Sequence, residues 1–174
     1  MRGEESSARS QNAGGRKTLE SVKGKQRGWW YLVDLLQYLV MRPLGVFLVE
    51  NHEDTVKYIQ LYLEDLGHQV KIARDMATAL QDFPKSKCDV LISDINLPDG
   101  DGWKLMEQMK DRRPAFAIAM SGYGSKNDLS RSRSAGYNHH LVKPFLPDDL
   151  IALLREAGKH VACLEKGQEQ ESKP

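Results

Sequence analysis

Residues 88–102, CDVLISDINLPDGDG, change character halfway along. Val90, Leu91 and Ile92 make an apolar run too short for a helix and rich in branched side chains, which predicts a buried strand. Ser93 and Asp94 follow at once. Pro98 and two Asp-Gly pairs, Asp99-Gly100 and Asp101-Gly102, then predict a turn-rich loop. Open α/β sheets place their reactive groups where a carboxylate ends a buried strand ahead of such a loop. On this stretch alone, Asp94 serves equally well as the cap of a turn.

On either side, strand-like and helix-like patterns alternate. Residues 46–49 (VFLV) predict a first buried strand that ends in Glu50-Asn51. Val56, Ile59, Leu61, Leu63 and Leu66 lie close to helical spacing, and Gly67 stops that helix. Val70 and Ile72 alternate with polar neighbours, as in an edge strand. A helix over residues 76–83 ends at Pro84. After the central strand, Trp103, Leu105, Met106 and Met109 form the apolar face of a helix over 102–112. Residues 115–120 predict a strand followed by Ser121-Gly122, and residues 125–135 a polar helix. Residues 137–142 predict the last strand, and residues 147–158 a helix with Pro147 in its first turn. Five strands alternating with five helices predict an α/β fold, a doubly wound five-stranded parallel sheet with helices on both faces. In the flavodoxin-like strand order 2-1-3-4-5, a crevice opens at the ends of the first and third strands. Those ends carry Glu50-Asn51 and Asp94.

Composition narrows the function classes. A length of 174 residues suits one domain with extensions, and a net charge of +1 gives no general attraction to nucleic acid or anionic membranes. Two isolated cysteines, Cys88 and Cys163, make neither a disulfide framework nor a zinc site, so a reducing cytoplasm is expected. Cys88 is expected to be a buried thiol. Residues 1–28 are polar, show no signal peptide, and are expected to be disordered. Residues 29–41, WWYLVDLLQYLVM, are apolar but number only 13, where a bilayer span needs about 20, so no transmembrane segment is expected. A short apolar helix over 29–43 would pack on the domain or meet a partner or an interface. The domain is expected over 44–160, with a charged, flexible tail over 161–174.

At the strand ends, Glu50, Asn51 and Asp94 offer hard oxygen ligands suited to Mg²⁺. The fourth strand contributes the hydroxyl of Ser121 and the fifth contributes Lys143, in Val142-Lys143-Pro144-Phe145. A carboxylate nucleophile, a divalent ion, a hydroxyl and a lysine are what phosphoryl transfer to an aspartate requires.

The set Glu50-Asn51, Asp94, Ser121-Gly122 and Lys143-Pro144-Phe145 resembles the receiver domain of two-component response regulators, over roughly residues 45–158. The phrases VENHEDT (49–55), LPDG (97–100) and SGYG (121–124) look most like receivers at the C-termini of hybrid histidine kinases. The resemblance implies that Asp94 is the phosphoacceptor, that Ser121 hydrogen-bonds the phosphoryl group, and that Lys143 pairs with that group or with the carboxylate. It implies a Mg²⁺ shell of Glu50, Asn51, Asp94 and the backbone carbonyl of Asn96, and a cis Lys143-Pro144 bond. It also implies a histidine kinase or histidine phosphotransfer protein as donor, and Tyr123 as a position that tunes phosphate lifetime. Such a module promotes its own phosphorylation and is not a classical enzyme. No helix-turn-helix or Walker A loop follows residue 158, so output is expected through an unidentified protein partner, not through direct contact with nucleic acid.

Two departures stand out. Asn51 occupies a position where the family usually has a second carboxylate, so weaker Mg²⁺ binding is expected. His140 stands where the family usually has Tyr or Phe, a switch residue that swings inward as the hydroxyl residue moves. These departures also suit a pseudo-receiver, a phosphorylation-independent interaction module. Other readings are weaker. His52, His139 and His140 make a poor metal set, because adjacent strand residues point to opposite faces. Asp99-Gly100-Asp101 lacks the Thr of haloacid-dehalogenase phosphatases. The run SRSRS (130–134) reads as a solvated helix face rather than an RNA-binding segment, and no Gly-rich loop supports a flavodoxin-like small-molecule binder.

Overall fold

The structure, a computed structural model, describes residues 42–109 and 112–171. The expectations for residues 1–28, and for 29–43 up to residue 41, lie outside them. In chain order the elements are β1 (Gly45–Val49), α1 (Glu53–Asp65), β2 (Gln69–Ala73), α2 (Met76–Asp82) with a 3₁₀ turn (Phe83–Lys85), and β3 (Val90–Asp94). A two-residue antiparallel hairpin follows, Asn96–Leu97 against Gly100–Asp101. Then come α3 (Gly102–Gln108), β4 (Phe116–Ser121), α4 (Lys126–Ala135), β5 (His139–Val142) and α5 (Pro147–Glu171). The five long strands are all parallel, in the order β2-β1-β3-β4-β5.

Strand alternation divides the core into two layers. Phe47, Val49, Leu91, Ala117 and Ala119 face α2, α3 and α4 through Ala79, Leu105, Met106 and Ala135. Val46, Leu48, Val90, Ile92, Ile118 and Met120 face α1 and α5 through Val56, Ile59, Leu63, Leu150, Leu154 and Ala157. Each such Leu or Ile removed from water contributes roughly 1.5–3 kcal/mol, and this burial holds the helices to the sheet.

Local chemistry sets the helix ends. Gly67, at φ 84°, ends α1 with its N–H on the Glu64 carbonyl. Ser125 and Asp128 close a capping box on α4, and Gly136 ends it at φ 107°.

Two expectations need correction. α5 does not stop at Gly158, and the expected tail from 161 is helical through Glu171. Leu150, Leu154, Ala157 and Val161 keep one apolar phase across the glycine, and Val161 is buried. Glu165 also takes both carboxylate oxygens to Arg42 at 2.8 Å. A mid-helix glycine costs about 1 kcal/mol, which this packing offsets. Cys88, expected buried, is half-buried at the edge of the core, and burial pushes its thiol pKa up. Among the described residues no helix is long and apolar enough to cross a membrane.

Candidate functional site

The sheet brings Glu50, Asp94, Ser121 and Lys143 to one rim, because β1, β3, β4 and β5 are parallel neighbours and all end there. Glu50 is fully buried, and Asp94 is 8 % exposed. The Lys143 ammonium lies between them, 2.5 Å from Glu50 Oε2 and 2.6 Å from Asp94 Oδ2. Each carboxylate spends its other oxygen on a backbone N–H two residues downstream. His52 N–H donates to Glu50 Oε1 and Asn96 N–H donates to Asp94 Oδ1, both at 2.9 Å. These local bonds fix the carboxylates before any ligand arrives.

Burial disfavours the charged form of Lys143, but hydrogen bonds to Asp94 and then Glu50 outweigh it and hold the pKa above the ordinary lysine value. The ammonium therefore stays charged at neutral pH. One cation against two carboxylates leaves an uncompensated negative charge at the site.

That surplus, with hard oxygen donors, fits a divalent cation that keeps several of its waters. Glu50, Asp94 and the Asn96 carbonyl would hold it. Asn51, next in sequence to Glu50, has an exposed side chain and no charge. Among the described residues no cluster of three or more His, Cys, Asp or Glu side chains is placed to hold a metal.

Ser121 is buried, and its Oγ accepts the Tyr123 N–H at 3.0 Å, which leaves its own proton to donate. Its carbonyl accepts the Lys143 N–H at 2.8 Å, so the hydroxyl and the ammonium are carried on one rung between β4 and the end of β5. The Lys143-Pro144 bond is cis, as the resemblance implied.

Several contacts have no counterpart in the sequence reading. The two carboxylate oxygens of Asp99 accept the N–H groups of Met76 at 2.7 Å and Ala77 at 2.8 Å, pinning the loop after Asp94 to the start of α2. The Met76 bond leads in holding the Asp99 carboxyl below its ordinary pKa. Asp101 caps α3 through the Lys104 N–H. The Tyr137 hydroxyl donates to the Gly102 carbonyl at 2.8 Å, and burial pushes this phenol well above its ordinary pKa, so it remains a neutral donor. The histidines form no metal set. His139 meets Glu156 at 2.9 Å, while His140 bonds Ser132 and the Tyr123 carbonyl. A buried Tyr hydroxyl needs a partner, and that general rule is the signal in the sequence for the Tyr137 bond.

Comparison with known proteins agrees with this geometry. The response regulator receiver domain family matches residues 46–155. A probable transcriptional regulator, ycf29, of Porphyra purpurea is 36% identical over 115 residues, covering 64% of this chain and 54% of that protein. The transcriptional regulatory protein YxdJ of Bacillus subtilis (strain 168) is 31% identical over 110 residues, covering 63% and 48%. The chain thus spans about half the length of these curated relatives. A solved response regulator receiver domain protein (CheY-like) from Methanospirillum hungatei JF-1 is 26% identical, with a TM-score of 0.63 over 75% of this chain and 100% of that one.

Proposed function

This chain belongs to the response regulator receiver domain family, and from that premise we propose that Asp94 accepts a phosphoryl group in a two-component phosphorelay. The reading rests above all on the Lys143 ammonium, held 2.5 Å from Glu50 and 2.6 Å from Asp94 at the rim of the sheet.

The donor would be a phosphohistidine on a histidine kinase or histidine phosphotransfer protein. A carboxylate oxygen of Asp94 attacks the phosphorus. The O–P bond forms as the N–P bond breaks, and the imidazole leaves with the electron pair and takes up a proton from solvent. Lys143 transfers its pairing to a phosphoryl oxygen, and the Ser121 hydroxyl donates to another. These positioned donors act where charge collects in a loose transition state. Glu50, Asp94, the Asn96 carbonyl and Asn51 would hold Mg²⁺, which supplies further compensation for the phosphoryl oxygens. The domain promotes its own modification and turns over no separate substrate.

The product would change the surface around α4 and β5 and its affinity for a downstream protein. The curated relatives are named as transcriptional regulators, and control of transcription through such a partner is the output we favour. Two cysteines, both free, suit a reducing cytoplasm. Asn51 carries a second reading, a pseudo-receiver that binds its partner without phosphorylation.

Incubation with acetyl phosphate and Mg²⁺, followed by intact mass, separates the two. The phosphoacceptor reading expects a gain of one phosphoryl group that Asp94→Asn abolishes. No gain from acetyl phosphate or any phosphohistidine donor sinks it in favour of the pseudo-receiver.

A further inference from the structure

The loop after Asp94 folds back on itself with little of its own to hold it. Asn96–Leu97 pairs with Gly100–Asp101, two residues a side, and Pro98 and Asp99 alone join them. A two-stranded hairpin is marginal in water even at greater length. The turn does not help. Two-residue loops match the twist of their strands when the first loop residue has positive φ, and the Pro98 ring fixes that angle near about −65°. The turn types left to Pro98-Asp99 splay the strands they join.

The hairpin is therefore held by its surroundings. At its base the Asn96 N–H is committed to Asp94 Oδ1 at 2.9 Å. Asp101, directly opposite Asn96, caps α3 through the Lys104 N–H at 2.8 Å. At its tip Asp99 reaches α2, where one carboxylate oxygen accepts the Met76 N–H at 2.7 Å and the other the Ala77 N–H at 2.8 Å. The Met76 side chain packs on the next residue of the tip: a Cβ placed on Gly100 would lie 2.9 Å from both its sulfur and its terminal carbon. α2 has a cap of its own, since Asp75 accepts the Thr78 N–H at 2.7 Å. Both oxygens of the exposed Asp99 are thus spent on a helix that supplies none of the rim residues.

We propose that Asp99 is a positioning residue for the divalent-cation site: by tying the tip of this hairpin to α2 it fixes the base, where the Asn96 carbonyl stands as a ligand. The inference rests on the phosphoacceptor reading for its metal ligands and deepens it, because it assigns part of the affinity for the ion to a residue outside the rim. A carbonyl carries no net charge to draw it to the ion, so its contribution depends on being in place beforehand. A hairpin that frays must be ordered on binding, and that ordering subtracts from affinity. The link is reciprocal. An ion that holds Asn96 steadies the tip as well, and with it the Met76 and Ala77 N–H groups.

The test titrates the full chain with Mg²⁺ by calorimetry and follows amide exchange at Met76 and Ala77 by NMR with and without the ion. Phosphoryl gain from acetyl phosphate at saturating Mg²⁺ is read by intact mass. Asp99→Ala is expected to bind Mg²⁺ about tenfold more weakly, the lower end for loss of a group that orients a metal ligand, yet to take up phosphate at the native rate once Mg²⁺ saturates. Asp99→Asn, which keeps one acceptor, should fall between. Mg²⁺ should slow exchange at Met76 and Ala77 in the native chain and not in Asp99→Ala. Asp75→Ala uncaps the same helix without touching the hairpin, and should lose stability while keeping its Mg²⁺ affinity. If Asp99→Ala does not fold, as judged by circular dichroism, Asp99→Asn carries the comparison. Equal affinity in the Asp99 variants and the native chain, or an equal loss in Asp75→Ala, overturns the positioning role and leaves the phosphoacceptor reading standing. A native chain that binds Mg²⁺ but gains no phosphoryl group sinks the phosphoacceptor reading alone, and one that binds no Mg²⁺ overturns both.

Discussion

A Cβ atom placed on Gly102 would lie 2.6 Å from the carbonyl oxygen of Asp94 and 3.1 Å from Cα of Ile95. The first residue of α3 thus packs directly on the backbone of the candidate phosphoacceptor. Its N–H donates to the Ile95 carbonyl at 2.9 Å, and its carbonyl accepts the buried Tyr137 hydroxyl. Backbone on both sides cannot give way as a flexible side chain would. Gly102→Ala is expected to destabilise the domain by about 1–3 kcal/mol, as overpacking does, and to slow phosphorylation by displacing Asp94. Urea denaturation and phosphorylation rates measure both; a variant matching the native chain in each would show that the contact relaxes freely.

Lys143 is the cation shared by the two buried carboxylates. Lys143→Met leaves Glu50 and Asp94 facing each other, a loss expected to cost about 3 kcal/mol, at the lower end for a broken buried pair because Lys143 is partly exposed. The increase in melting temperature on adding Mg²⁺ should be larger in this variant than in the native chain, because the ion then meets two uncompensated charges. An equal or smaller increase would argue against Mg²⁺ binding at these carboxylates.

Asn51 follows Glu50 in sequence and is exposed. Adding a charge there should strengthen Mg²⁺ binding by about tenfold, since unit charges a few ångströms apart near a surface interact by roughly 1–4 kcal/mol. Calorimetric titration of the native chain and Asn51→Asp measures this directly, and equal affinities would refute it.

His68 links acid sensitivity to the start of β1. It is buried, its Nδ1 accepts the Leu44 N–H at 3.1 Å, and burial lowers its pKa. The folded chain needs the neutral ring, so this contribution is complete above the unfolded value of about 6.5 and is lost as pH falls below it. Stability is expected to drop between pH 7 and 5 by up to about 1.4 kcal/mol per unit from this residue. His68→Asn, which keeps an acceptor for Leu44, should flatten the slope, and chemical denaturation across that range gives the difference.

The strands and the rim residues were legible because each is announced locally. A branched apolar run gives a strand, and the residue where the run ends is delivered to one edge by parallel pairing. Glu50, Asp94, Ser121 and Lys143 needed no more than that. The bonds of His140 were not legible, since they join residues from three elements and depend on side-chain direction. Asp99 hides for the same reason: its partners, Met76 and Ala77, lie more than twenty residues upstream. Gly158 misled because a glycine stops a helix only where packing also ends, and Val161 continues the buried face.

The register of the sheet also orders how the site is assembled. β1 pairs with β3 from Val46 to Val90, so Glu50 and Asp94 converge only when segments more than forty residues apart meet. Their shared cation lies 93 residues beyond Glu50. A nascent chain that has formed the centre of the sheet but not its last strand holds two crowded negative charges with no counter-ion from Lys143, and closing β5 is the step that neutralises them. Docking of the final strand should therefore be the stage of folding most sensitive to ionic strength.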